Sequence, residues 1–140
     1  MQLSKHFDRV EIERSTTASR NNIDNTMPEI VLNNYIYLCE NVLEPIRKKF
    51  GTIIITSGFR CPVLNKLVGG VNNSQHLGGL DKSDTGSAAV DFYCLNTELD
   101  KVWNWLDNIN FDQAGLNIKQ GFIHISSNAE YEHRNQKFYY

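Results

Sequence analysis

Residues 88–94, Ala-Ala-Val-Asp-Phe-Tyr-Cys, read as an apolar strand with a carboxylate, Asp91, near its middle. An ionised carboxylate in that setting is costly unless a cation or strong donors meet it, so the fold must bring a partner to Asp91. Two short apolar-flanked segments supply imidazoles: Ser74-Gln75-His76, and Phe122-Ile123-His124-Ile125-Ser126. Two imidazoles and one carboxylate are the ligand count of a catalytic zinc site with its fourth position left open. Read singly, each residue is bland. His76 follows Asn72-Asn73-Ser74 and suits a loop, Asp91 suits a cap for the helix starting near Thr97, and His124 suits a hydrogen-bonded core position.

The rest of the pattern sets the fold class. From Pro28, the apolar positions Val31, Tyr35, Leu38, Val42 and Ile46 recur at helical spacing, with Gly51 placed to end the helix. Pro45 removes a backbone donor inside it and predicts a kink or break near Glu44. The β-branched run 52–57, between Gly51 and Gly58, reads as a buried strand, and 62–68 as a short helix stopped by Gly69-Gly70. Thr97-Glu98-Leu99-Asp100 resembles a capping box opening a helix through Trp103 and Leu106 to about Asn108. Segments 113–118 and 121–126 are spaced for a hairpin, and 136–140 for an edge strand. Hairpin connections with the helices kept apart from them predict an α+β fold: helices packed on a mostly antiparallel sheet.

One domain over residues 1–140 fits a chain of 140 residues with 41% hydrophobic content, which is enough for a single core. Residues 1–25 read as a polar N-terminal arm, closing in the loop 21–25. A net charge of −2 leaves no electrostatic footprint for nucleic acid. No run approaches the ~20 apolar residues that span a bilayer, which argues against membrane insertion, and residues 1–8 lack the apolar core of a secretory signal. The three cysteines, Cys39, Cys61 and Cys94, are odd in number and far apart, so no disulfide framework is expected. Cys94 reads as a small buried residue closing its strand rather than a ligand.

Four stretches in fixed order carry a resemblance: Ser57-Gly58-Phe59-Arg60-Cys61-Pro62-Val63-Leu64-Asn65, Val68-Gly69-Gly70-Val71-Asn72-Asn73-Ser74-Gln75-His76, Ala89-Val90-Asp91-Phe92 and Phe122-Ile123-His124-Ile125-Ser126. They resemble the zinc D-alanyl-D-alanine metallopeptidases, a family of D,D-carboxypeptidases and dipeptidases and of the L-alanyl-D-glutamate endopeptidases of phage endolysins. The likeness is greatest to the small single-domain branch of phages and bacteria, whose opening Leu3-Ser4-Lys5-His6-Phe7 and Glu13-Arg14-Ser15-Thr16-Thr17-Ala18 also resemble. It implies that His76, Asp91 and His124 hold Zn2+ and that Arg60 contacts the substrate, with Ser74 and Gln75 beside the first ligand to donate to its backbone. Read without the resemblance, these are a surface arginine on a turn and two residues that only shape the loop.

Two departures from that pattern stand out. Fourteen residues, 77–90, separate His76 from Asp91, where the family has a markedly shorter spacer. Residues 77–86 therefore read as an insertion near the metal, a polar glycine-rich lip or mobile lid, whose Asp81 and Asp84 rank below Asp91 as ligands. The family's general base also has no obvious counterpart: Asn117 stands where a glutamate is expected, and Asp112 is the nearest carboxylate in sequence, equally suited to a turn. His133 and His6 read as exposed polar residues.

The resemblance implies zinc-dependent hydrolysis of a peptide bond in peptidoglycan stem peptides, by a D,D-carboxypeptidase or an endolysin-type endopeptidase. The alternative is a catalytically weakened zinc domain that binds cell wall or serves as a structural phage protein. The expected partner is a stem peptide, and a monomer is favoured. Without a signal, the chain would be made in the host cytoplasm and act at the wall or periplasm after phage-type release, or as part of a virion.

Overall fold

The computed structural model describes residues 1–140. Its sheet is built from β1 (Ile53–Ser57), β2 (Ser87–Cys94), β3 (Gln113–Asn117), β4 (Phe122–Asn128) and β5 (Gln136–Tyr139), in spatial order β1-β2-β4-β3-β5. Every pairing is antiparallel except β3 with the edge strand β5. The helices are α1 (Arg9–Glu13), α2 (Thr16–Arg20), α3 (Glu29–Leu38), α4 (Glu44–Phe50), α5 (Pro62–Leu67) and α6 (Leu99–Trp105). The α+β expectation holds. No helix is long and apolar enough to cross a membrane.

Alternation along the strands separates the two faces of the sheet. Val90 and Phe92 of β2, Ile123 and Ile125 of β4, and Ala114 and Leu116 of β3 join Val31, Tyr35 and Leu38 of α3 in one buried cluster. Asp91 lies opposite His124, and His124 opposite Gly115, so these three occupy the other face. Each fully buried Ile, Leu or Phe contributes roughly 1.5–3 kcal/mol, and that one-sided burial fixes the register. A slip of one residue would turn Asp91 into the core.

The break expected at Pro45 takes the form of a widened turn. Residues Cys39–Leu43 are π-helical, and Glu44 N donates to Cys39 O, five residues back. That turn makes room for a ring that would clash with the carbonyl four residues earlier, so α3 runs on into α4 up to Gly51.

Residues 1–25 depart from the expected polar arm. Asp8 and Glu11 form a capping box for α1, Ser15 caps α2, and Leu3, Phe7, Ile12 and Ala18 are buried. Polar composition concealed this because each helix turns only one apolar residue inward, Ile12 and Ala18. The capping box expected at Thr97 does not form: Glu98 is the N-cap of α6 without a side-chain bond, and Thr97 Oγ1 donates to Leu95 O.

The segment 77–86 is not a projecting lid. Gly78 and Gly79 are buried against α3, where Asn34 Nδ2 donates to Gly78 O (2.9 Å) and a Cβ at Gly78 would meet the Val31 side chain. Its glycines take positive φ and allow the close approach. The outer part is tied down by Asn128, which donates to Asp84 Oδ1 and Thr85 O, and by the Thr85–Glu130 hydrogen bond.

Candidate metal centre

A β-bulge positions the first ligand. Ile55 pairs with Phe92 and Ser57 with Asp91, leaving Thr56 as the extra residue, whose hydroxyl donates to Asp91 O (3.2 Å). The chain leaving β1 then offers Gly58 O to His76 Nδ1 at 2.7 Å. His76 itself sits in the single turn Gln75–Leu77, capped by Ser74, whose Oγ accepts from His76 N. Arg60 N donates to His76 O, and Tyr35 Oη, which donates to Ala89 O at 2.8 Å, lies 3.4 Å from the same carbonyl as Arg60 N, so the turn packs against β1 and α3. Asp91 and His124 need no loop, being cross-strand neighbours on β2 and β4.

The three side chains converge. Asp91 Oδ1 lies 3.3 Å from His76 Nε2 and 3.0 Å from His124 Nδ1, and the imidazole centroids are 5.2 Å apart. One ligand atom from each lies within 4.8 Å of the others. Ligand atoms about 2.0–2.2 Å from a tetrahedral ion stand roughly 3.3–3.6 Å apart, and the two separations from Asp91 Oδ1 lie close to that, so the cluster could hold a metal ion after small side-chain shifts.

The hydrogen bonding argues for a cation independently of the spacing. A carbonyl oxygen can only accept, so His76 Nδ1 carries the proton that meets Gly58 O. A neutral His76 then points its Nε2 lone pair at a carboxylate oxygen. Only a proton on that nitrogen or a metal ion between the two relieves the opposition, and burial depresses the His76 pKa. Burial alone would raise the Asp91 carboxyl; it is held below the usual carboxylate range by the charge on His76 when that ring is protonated and by the hydrogen bond from His124, so the ionised acid goes with a positive charge beside it. A carbonyl on the far nitrogen is also the orientation that metal-binding histidines use.

The cluster opens into a cleft of about 700 Å³. Phe122, Phe138 and Tyr140 form an aromatic side, with Phe138 6.1 Å from His124 between ring centroids. Gly115 makes this possible, since a Cβ there would strike the Phe138 and Tyr140 rings. The Tyr140 hydroxyl is pushed up to about 12 by burial and then by the charge of Asp91. Arg60 also lines the cleft; its Nε is shielded from water and has no acceptor. Burial lowers the Arg60 pKa and the Asp91 charge opposes that shift.

The other candidates fall elsewhere. Ser74 and Gln75 line the cleft, but Ser74 caps the turn and Gln75 Nε2 donates to Asp112 Oδ2 (2.9 Å). Asp112, the candidate base, does not line the cleft. It is buried, accepts from Arg134 N, Nε and Nη2 as well as from Gln75, and has no free site at which to receive a proton. Burial alone would raise its carboxyl, yet the Arg134 hydrogen bonds hold it below the ordinary value. Asn117 closes the β3–β4 turn, its Oδ1 accepting from Gln120 N. Asp81 caps the turn Lys82–Asp84, His6 pairs with Glu44, His133 accepts from Asn128 N, and Cys94 is buried at the end of β2.

The sequence reading missed Arg134, Phe138 and Tyr140. The aromatic pair had a signal in the alternation along 136–140; Arg134 had none, because its partner is 22 residues away.

Residues 5–126 match the family model described as Peptidase M15. No curated protein matches the chain.

Proposed function

Because the chain belongs to the peptidase M15 family, we propose that it hydrolyses a peptide bond in peptidoglycan stem peptides, as a D,D-carboxypeptidase or an endolysin-type endopeptidase. The observation that carries this reading is the His76–Asp91–His124 cluster facing an open cleft with Arg60 on its wall. In this reading His76, Asp91 and His124 hold zinc, which when bound supplies an activated water and a Lewis acid for the scissile carbonyl. Gly58 O keeps the His76 ring in one tautomer and one orientation. Arg60 offers a planar fork of donors to a substrate carboxylate, and its unpartnered Nε favours an acceptor arriving from outside. The aromatic side formed by Phe122, Phe138 and Tyr140 limits how the peptide backbone can lie.

A second reading rests on a specific observation. The cleft has no carboxylate besides Asp91 and no imidazole besides the two candidate ligands. A chain lacking a positioned base is a weakened enzyme, or a zinc domain that binds cell wall or builds a phage particle. Release of new amines from purified peptidoglycan by the zinc-loaded protein decides between them. Amine release that drops at least tenfold in Arg60→Lys, with an unchanged melting midpoint, supports hydrolysis with Arg60 on the substrate. Stoichiometric zinc with no amine release supports the second reading.

A further inference from the structure

A second cavity, of about 360 Å³, lies beside the metal cleft. Arg60 and Val68 line both, so Arg60 stands on the wall between them. The same cavity is lined by Arg14 and by the hydroxyl residues Thr17, Thr56 and Ser57. The lining contains two guanidinium groups and no carboxylate. Arg9 and Arg134 make the arginine ion pairs of this chain; Arg14 and Arg60 take no part in any. The Arg60 Nε is a shielded donor without an acceptor, an unfavourable arrangement until an acceptor is supplied. Two unpaired cations facing one polar cavity, one of them with an unmet donor, make a receptor for an anion.

We propose that this cavity is a subsite for a second carboxylate of the peptide substrate, held between Arg14 and Arg60. The assignment rests on the stem-peptide reading and names a feature of the peptide that the chain prefers. A carboxylate is the group that fits, because the Arg14 fork, which lines this cavity and not the metal cleft, pairs with it through two parallel hydrogen bonds, while Arg60 adds the charge on the shared wall and the hydroxyl residues can complete its remaining lone pairs. The metal cluster then receives the scissile bond while this cavity fixes an acidic residue at a set distance along the peptide.

The test uses two synthetic peptides, L-Ala-γ-D-Glu-L-Lys-D-Ala-D-Ala and the same peptide with its glutamyl α-carboxylate amidated. Affinity by calorimetry and kcat/KM by amine release are measured on zinc-loaded wild type, Arg14→Gln and Arg14→Lys. Wild type should favour the acid over the amide by about tenfold, the effect of one charge-assisted pair. That ratio should fall severalfold in Arg14→Gln and be partly kept in Arg14→Lys. Arg14 is exposed, so the substitutions leave the fold in place. Equal affinity of wild type for the two peptides, or an unchanged ratio in Arg14→Gln, overturns the subsite. If neither peptide is cleaved, the hydrolytic reading fails on its own, and the affinity ratio still decides the subsite.

Discussion

Asp91 and Asp112 are both acids withdrawn from water and both held below the ordinary carboxylate pKa, yet their surroundings are opposite in kind. Asp112 meets a permanent cation, the Arg134 guanidinium, and its oxygens are filled by four hydrogen bonds. Asp91 meets two imidazoles, one of which turns a lone pair toward it when neutral. The first arrangement is complete as the protein folds, whereas the second keeps an opposition that a cation from outside would relieve. A buried acid satisfied by the chain's own arginine holds structure together; one left facing imidazole nitrogens marks a metal position.

The largest expected effect breaks the Asp91 region. Wild type should carry zinc stoichiometrically after dialysis, by elemental analysis, and His76→Ala, His124→Ala and Asp91→Asn should each abolish it. In chelator, Asp91→Asn should change unfolding stability little, because the opposition to His76 disappears together with the hydrogen bond from His124. Full zinc retention in both histidine variants would remove the metal centre from this account.

Asp112→Asn should do the reverse. It keeps all three ligands, so zinc stays stoichiometric. It also leaves Arg134 facing an amide and loosens Gln75, the residue before His76. The expected cost is about 2 kcal/mol, below the roughly 3–5 kcal/mol of a fully buried pair because the Arg134 side chain is 52% exposed and regains water. For a chain of this size that lowers the melting midpoint by roughly 6–8 °C. Loss of turnover with an unchanged midpoint would instead return Asp112 to the role of general base.

The contrast also explains what the sequence could reveal. Asp91 was legible because an acid between Val90 and Phe92 contradicts its own strand, and local contradiction is visible without a structure. The strands, the α3–α4 helix and the hairpin were legible through periodicity. The bond from Asp112 to Arg134 was not, because it depends on how the chain after β4 returns to β3. The packing of Gly78 and Gly79 on α3 was equally hidden: a glycine looks the same in sequence whether it serves motion or close approach.

The smallest effect is the acid dependence of the Asp112 contribution, and its direction distinguishes the two roles given to that residue. A carboxyl whose folded-state pKa is lowered contributes stability that is fully present above the unfolded-state value near 3.9 and is lost as pH falls through the folded value. The stability gap between wild type and Asp112→Asn, from urea unfolding at a series of pH values, should therefore be flat from about pH 7 to 5 and narrow below about pH 4. A general base tuned for neutral pH would have a raised pKa, and the gap would then change between pH 7 and 5. A flat gap in that range leaves Asp112 as Arg134's partner and Asp91 as the acid that awaits a cation.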